Sequence, residues 1–172
     1  MTFMKICGIT RASDAHHAVT HGASALGFVF WPQSPRYIAP DKAAIIISEL
    51  QDNIQTVGVF VDQAPKEISR VVSETGISMV QLHGDESSNY AEQIQIPFLK
   101  AMTLENAAET MANWPEPTVM LLDANDAVKR GGTGKRIDWT RAAAVASCSR
   151  VILAGGLTDI NIEEAITTVR PY

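Results

Sequence analysis

Cysteine is scarce in this sequence, and long apolar runs are absent. The chain holds only Cys7 and Cys148, which is too few for the disulfide framework of a secreted protein and favours a reducing compartment. The sequence contains no run of about 18 apolar residues that could span a bilayer, and its first residues form no apolar segment long enough for a signal peptide. These absences predict a cytoplasmic protein that is neither exported nor held in a membrane.

Positive charge is scarce as well. Lysine and arginine number 14 against 19 aspartates and glutamates, which gives a net charge of −5 and no basic field for nucleic acid. An anionic ligand must therefore be held by local groups. What the chain does have is 46% hydrophobic residues in 172 positions. That is enough for one sizeable core, so we expect a single domain over residues 1–172.

Short apolar segments alternate with amphipathic ones along the chain. Predicted strands cover residues 4–8, 25–30, 56–61, 79–82, 98–102, 119–122 and 151–153, and predicted helices cover residues 13–21, 41–50, 65–75, 88–94, 104–112, 138–146 and 161–169. Strands that are apolar on both faces and alternate with helices are typical of a parallel sheet covered by helices. The pattern predicts an α/β fold of seven strand–helix units. It leaves two architectures open, a doubly wound sheet and a (β/α) barrel.

Polar side chains stand near the ends of several predicted strands. Cys7 closes the first strand and Asp123 follows the sixth. In a parallel barrel both would lie at the carboxyl-terminal mouth, as a base and an acid that face one substrate. Because side chains alternate along a strand, Lys5 shares a face with Cys7, and Gln81 shares a face with His83. We expect Gln81 and His83 to line the site, and Lys5 to be satisfied by neighbouring backbone.

Two glycine-rich stretches follow the last two predicted strands. Residues 131–135 read Gly-Gly-Thr-Gly-Lys, and residues 154–157 read Ala-Gly-Gly-Leu. Glycine lets the backbone approach a ligand closely, so such loops can aim amide N–H groups at a phosphate. Neither stretch fits the Walker or the dinucleotide pattern, and each alone is more often an ordinary turn. Their position after successive late strands of a barrel favours a phosphate site.

An ordered set of motifs runs through almost the whole chain. They are KICGIT at 5–10, GFVF at 27–30 with SPRYI at 34–38, VGVFV at 57–61, VQLHG at 80–84, LLD at 121–123, GGTGK at 131–135 and AGGL at 154–157. Together they resemble the phosphoribosylanthranilate isomerase family of tryptophan biosynthesis. The resemblance implies a (β/α)8 TIM barrel that needs no cofactor and no metal, and it displaces the doubly wound alternative.

The resemblance also implies a reaction and a role for each matched residue. The family isomerises N-(5-phosphoribosyl)anthranilate by an Amadori rearrangement under acid–base catalysis, so the expected partner is a small phosphorylated substrate. The matched motifs make Cys7 the base and Asp123 the acid, and they assign Arg36 to the anthranilate carboxylate. The other implied substrate-binding residues are Gln81, His83, Gly132, Thr133, Gly134, Gly155 and Gly156.

The sequence departs from the family at its carboxyl-terminal end. Family members continue into an eighth strand and helix, so we expect residues 1–172 to lack strand 8 and helix 8. The open barrel edge would promote self-association. Two alternative functions stay open, a non-catalytic phosphate-binding barrel fragment and the related sugar-phosphate isomerase of histidine biosynthesis. The latter performs the same rearrangement but uses an aspartate where this chain has Cys7.

Overall fold

The computed structural model of the protein describes residues 3–124 and 136–172, through which strands and helices alternate. The strands are Lys5–Cys7 (β1), Ala25–Val29 (β2), Gln55–Phe60 (β3), Met79–Leu82 (β4), Phe98–Met102 (β5), Val119–Leu122 (β6) and Val151–Leu153 (β7). The helices are Ala12–Thr20 (α1), Pro40–Ser48 (α2), Pro65–Thr75 (α3), Ser88–Ala91 (α4), Ala107–Asn113 (α5), Trp139–Ala146 (α6) and Ile162–Val169 (α7). The predicted alternation of strands and helices is confirmed.

Two helices are shorter than predicted by two or more residues, and local hydrogen bonds explain both differences. α4 stops short of residue 94 because the amides of Gln93 and Ile94 bond to carbonyls three residues back, which tightens the last turn. α5 starts after Asn106 because the Asn106 side-chain oxygen accepts a hydrogen bond from Thr103 N at 2.8 Å. That bond closes a turn where the prediction had placed the first residues of the helix.

The chain folds as two compact units, Met1–Phe98 and Leu99–Tyr172, which we call the amino-terminal unit and the carboxy-terminal unit. In the amino-terminal unit, β1, β2, β3 and β4 pair side by side in chain order, and every pair is parallel. A doubly wound sheet reverses its strand order at a switch point, whereas a barrel adds its strands in sequence. The order within this unit is that of a barrel.

α3 shows how the helices of the amino-terminal unit are placed. Pro65 stands in its first turn, and Gly76 ends it in a left-handed conformation with φ of 69°. Ile68 and Val71 lie on one face because they are three residues apart, and they are 1% and 2% exposed. Burial of an aliphatic side chain of this size stabilises the fold by about 1.5–3 kcal/mol. The buried face of α3 therefore anchors the helix to the core of the unit.

The carboxy-terminal unit repeats this organisation. β5, β6 and β7 pair in parallel and in chain order. α6 begins after Asp138, whose side chain accepts from Thr140 N at 2.9 Å and from Arg141 N at 3.1 Å. Those amides have no partner within the helix, so the cap stabilises its first turn. The predicted parallel α/β architecture is thus found in both units. No helix in the described part of the chain is long and apolar enough to cross a lipid bilayer.

Candidate active site

Cys7 is the last residue of β1 and lies half-buried beside β2. Its Cα is in register with Gly27 of β2. A Cβ atom at position 27 would lie 2.7 Å from the Cys7 Sγ atom, which is closer than carbon and sulfur atoms that are not bonded can approach. Glycine at this position therefore leaves the space that the thiol occupies.

Arg36 comes from the loop after β2 and reaches the end of β1. Its Nη1 atom donates a hydrogen bond to the Cys7 carbonyl oxygen at 2.9 Å. Gly8 permits this approach, because its φ is +92° and a Cβ atom there would lie 2.5 Å from Arg36 Cδ. The loop returns to its strand where Ile38 N donates to Val29 O at 3.0 Å. A guanidinium group with further N–H donors is thus held beside Cys7, in a form suited to a planar anion.

Lys5, Gln81 and His83 form a chain of polar contacts. The Lys5 Nζ atom donates to Gln81 Oε1 at 2.7 Å, and Gln81 Nε2 lies 2.5 Å from His83 Nδ1. Gln81 is only 2% exposed. The interpretation that Lys5 is satisfied by neighbouring backbone is therefore wrong, because its partner stands 76 residues away. Sequence spacing placed Gln81 and His83 on one face, but it held no signal for the contact of Lys5 with Gln81.

Acidic side chains hold the loops after β3 and β4 together, a feature that sequence reasoning missed. Glu86 is 8% exposed and accepts from Gly84 N at 2.9 Å and from Asp62 N at 3.0 Å. Asp62 in turn accepts from Asp85 N at 2.6 Å, so each loop supplies a carboxylate to the amides of the other. The sequence signal that could have indicated this feature is the acidic pair Asp85–Glu86, which begins two residues after His83. This clamp fixes the backbone just after His83.

Tyr90 of α4 binds the loop after β3. Its hydroxyl donates a hydrogen bond to Gln63 O. Burial, and then the negative charges of Glu86, Asp62 and Glu67, raise the pKa of Tyr90 to about 12, because each disfavours the phenolate. The hydroxyl therefore keeps its proton, and remains a donor, throughout the physiological pH range.

Asp123 directly follows β6 and is half-buried. Its backbone N donates to Met102 O of β5 at 3.0 Å, which continues the strand pairing to this residue. Its Oδ1 atom accepts from the amide of Ala124 at 2.7 Å. The carboxyl group is thus oriented by the next backbone N–H. Its predicted place at the end of a strand is confirmed.

Gly155 and Gly156 form a left-handed turn after β7. Their φ angles are +81° and +67°, a conformation that other residues rarely adopt. A Cβ atom at position 155 would lie 2.7 Å from Ala124 N, the amide that binds the Asp123 carboxyl group. Asn161 Nδ2 donates to Gly156 O at 2.9 Å and fixes the far side of the turn. The turn therefore packs directly against the backbone that follows Asp123.

The predicted site residues divide between the units. The amino-terminal unit carries Cys7, Arg36, Gln81 and His83, and the carboxy-terminal unit carries Asp123, Gly155 and Gly156. The predicted phosphate-binding residues Gly132, Thr133 and Gly134 lie outside the described residues. Within the described ranges no group of three or more His, Cys, Asp or Glu side chains is arranged to hold a metal ion.

The sequence as a whole matches a known family. The family model described as N-(5'phosphoribosyl)anthranilate (PRA) isomerase matches residues 4–172. The N-(5'-phosphoribosyl)anthranilate isomerase of Geobacter sp. (strain M21) is 45% identical to this chain over 174 residues. That alignment covers 100% of this chain and 85% of the relative.

Solved structures agree with the sequence match. Phosphoribosyl anthranilate isomerase from Thermotoga maritima is 39% identical, with a TM-score of 0.91 over 99% of this chain and 85% of that one. A phosphoribosyl anthranilate isomerase in complex with reduced 1-(o-carboxyphenylamino)-1-deoxyribulose 5-phosphate is 37% identical, with a TM-score of 0.88 over 100% of this chain and 84% of that one. The fold is accordingly TIM-barrel-like. The chain belongs to the N-(5'-phosphoribosyl)anthranilate isomerase family, as its ordered motifs predicted.

Proposed function

We propose that Cys7 is the general base and Asp123 the general acid of the isomerisation that this family catalyses. The reaction of the chain is that of its family, an aldose–ketose isomerisation of N-(5'-phosphoribosyl)anthranilate in tryptophan biosynthesis. Each of the two residues stands at the carboxyl end of a parallel strand, where folds of this kind keep their chemistry. That shared position is the observation that carries the assignment.

The chemistry needs one group that gives a proton and one that removes it. Asp123 protonates the ribose ring oxygen, so the ring opens and a Schiff base forms with the anthranilate nitrogen. Cys7 then removes the proton from C2, and the resulting enolamine tautomerises to the ketone. Ketone formation adds a proton at C1 and removes the one on the C2 hydroxyl. Asp123 ends as a carboxylate and Cys7 as a thiol, and exchange of one proton through solvent restores both, so the atoms and electrons balance. General acid–base catalysis of this kind contributes roughly 10²–10⁴ in rate.

Arg36 is proposed to bind the anthranilate carboxylate. The observation in support is its hydrogen bond of 2.9 Å to the Cys7 carbonyl, which holds the guanidinium next to the proposed base. A planar guanidinium pairs with a carboxylate through two parallel N–H bonds and fixes its orientation. A substrate held in this way at its aromatic end would present its ribose to Cys7.

The phosphate is proposed to lie on the glycine loops. Two consecutive left-handed glycines, Gly155 and Gly156, support the second of these loops as an anion site, since such turns expose backbone N–H groups. Gly132, Thr133 and Gly134 are the proposed partners on the other loop. Gln81 and His83 complete the binding set. Because both ends of the Gln81 amide are already engaged, Gln81 contributes through His83.

The finer fold assignment is also a proposal: one domain over residues 1–172 that forms part of a complete (β/α)8 barrel. The TM-score of 0.91 over 99% of this chain supports it, and the Geobacter relative is longer, with 85% of it covered. An unpaired strand edge would promote self-association. We therefore expect light scattering to show association of the 172-residue chain. A monomeric mass would contradict the proposed self-association.

The test of the function is direct turnover. The purified chain is incubated with N-(5'-phosphoribosyl)anthranilate, and the product is quantified by chromatography. The sugar-phosphate substrate of the histidine-pathway isomerase serves as the comparison, and the Cys7→Ala protein as the background control. We expect turnover of the anthranilate substrate that the control lacks. Turnover of the histidine-pathway substrate alone would favour the alternative enzyme, and turnover of neither would favour a binding module.

A further inference from the structure

Three side chains link β1 to the residue just after β4. We propose that Lys5 and Gln81 are positioning residues that hold His83 as the neutral tautomer with its proton on Nε2. The contacts that carry the proposal are Lys5 Nζ to Gln81 Oε1 at 2.7 Å and Gln81 Nε2 to His83 Nδ1 at 2.5 Å. The catalytic meaning of the tautomer rests on the proposed function, but the tautomer itself is a property of the folded chain.

The lysine determines which way the amide of Gln81 points. An ammonium group has N–H donors and no acceptor, so only the amide oxygen can face it. Once the oxygen of Gln81 faces Lys5, its NH₂ group faces the His83 ring. The orientation follows from the chemistry of the lysine and does not depend on telling oxygen from nitrogen by their positions.

The amide in turn determines the state of the histidine. An amide NH₂ group can only donate, so His83 Nδ1 must present a lone pair to it. A neutral imidazole with a lone pair on Nδ1 carries its proton on Nε2. The other neutral tautomer and the imidazolium both have N–H at Nδ1, which would set two donors against each other.

Burial makes these constraints strong. Gln81 is 2% exposed, so little water can replace a lost partner. A buried polar group left without a partner costs roughly 1–3 kcal/mol. Turning the amide around would lose the contact with Lys5, because the NH₂ group of Gln81 would then face the ammonium.

The backbone supports the same arrangement. His83 N donates to Phe60 O at 2.8 Å, and Gly84 N donates to the Glu86 carboxylate at 2.9 Å. The residue is therefore fixed on both sides while its ring is oriented by Gln81. It follows that His83 acts through Nε2 as a hydrogen-bond donor and not as the base, which leaves proton removal to Cys7.

The test is the tautomer of His83 in the full chain, read from ¹⁵N chemical shifts and two-bond ¹H–¹⁵N correlations of histidine-labelled protein. The chain has four histidines, and His16, His17 and His21 serve as internal references. We expect His83 to show a protonated Nε2 and an unprotonated Nδ1 at neutral pH. A protonated Nδ1, in either the neutral or the charged ring, would overturn the proposal without any variant.

Three variants locate the cause. Gln81→Glu replaces the NH₂ group by an oxygen that accepts, so we expect the His83 proton to appear on Nδ1. Gln55→Glu makes the same change at the exposed start of β3 and should leave the tautomer unchanged. Lys5→Met removes the group that orients the amide, and we expect a mixture of His83 tautomers. Retention of the Nε2 tautomer alone in Gln81→Glu, or in Lys5→Met, would overturn the role assigned to that residue.

Turnover separates this proposal from the proposed function. If the unaltered chain isomerises its substrate, Gln81→Glu should lower kcat/KM by roughly tenfold, the scale of one neutral hydrogen bond, and Gln55→Glu should not. A normal kcat/KM in a Gln81→Glu protein whose tautomer has switched would overturn the functional role of the tautomer. If the unaltered chain is inactive, the proposed function fails, and the NMR result still decides the tautomer.

Discussion

The two units hold their proposed catalytic groups in different ways. In the amino-terminal unit, side chains from distant positions hold the site, since the Arg36 side chain donates to the Cys7 backbone carbonyl at 2.9 Å and Lys5 donates to the Gln81 side chain at 2.7 Å. In the carboxy-terminal unit, backbone amides and backbone conformation hold it. There Asp123 Oδ1 accepts from the next amide in the chain at 2.7 Å, and the neighbouring turn consists of two left-handed glycines.

This difference decides what each unit tolerates. Side-chain contacts between distant strands can be removed one at a time, so substitutions in the amino-terminal unit should change chemistry or binding more than folding. A turn that requires left-handed φ cannot accept a side chain without strain. Substitutions of that turn should therefore lower the stability of the carboxy-terminal unit.

The largest expected effect falls equally on both units. Cys7→Ser and Asp123→Asn should each lower kcat by roughly 10² or more, because each removes the group proposed to move a proton in its own step. KM should change less, and steady-state kinetics on the two variants measures both. Near-normal turnover from one variant would mean that only the other unit supplies a catalytic group.

The next effect concerns binding in the amino-terminal unit. Arg36→Met should weaken substrate binding by roughly 1.5–3 kcal/mol, the scale of hydrogen bonds to charged groups, with the loss mainly in KM. Arg36→Lys is the matched control, because it keeps the charge and loses the planar pair of donors. We expect the lysine variant to bind better than the methionine variant and worse than the unaltered chain. An unchanged KM for Arg36→Met would remove Arg36 from the site.

The tight turn at Gly155 should make the carboxy-terminal unit sensitive to an added methyl group. Gly155→Ala places a Cβ atom at φ of +81° and 2.7 Å from Ala124 N. Gly22→Ala is its control, since φ there is +90° and nothing lies within 4 Å of the added atom. The left-handed strain alone costs about 1–2 kcal/mol, and overpacking adds about 1–3 kcal/mol at position 155 only. Urea unfolding should show the larger loss for Gly155→Ala, and equal losses would refute the close contact.

The smallest effect concerns the clamped loops of the amino-terminal unit. The pKa of Tyr90 is raised from 10.0 to about 12, so the folded state keeps a proton that the unfolded state releases. Its contribution to stability is therefore complete below about pH 10 and is lost as the pH rises towards about 12. Ultraviolet titration of tyrosinate, with Tyr90→Phe as the reference, should assign the late step to Tyr90. A titration that shows no late step removed by Tyr90→Phe would contradict this.

The sequence predicted those parts of the molecule that depend on local pattern. The strand–helix alternation and the positions of Cys7 and Asp123 at strand ends follow from apolar periodicity, which acts over a few residues. The start of α5 was misplaced because one side chain, Asn106, closes a turn that helix propensity does not reveal.

Contacts between distant positions were not predictable in this way. The Lys5–Gln81 bond joins residues 76 apart, and the Asp62–Glu86 clamp joins residues 24 apart. No propensity or spacing encodes such pairs, because they depend on which strands become neighbours. The space at Gly27 for the Cys7 thiol likewise became visible only through the strand register.

The most direct test of Cys7 as the proposed base compares kcat of Cys7→Asp with kcat of Cys7→Asn. The two side chains share size and shape, but only the aspartate can accept a proton, so packing beside Gly27 is matched between them. We expect the aspartate variant to exceed the asparagine variant by at least about tenfold, since a positioned base contributes roughly 10²–10⁴ in rate. Equal turnover of the two variants would contradict the assignment of Cys7 as the group that removes the proton from C2.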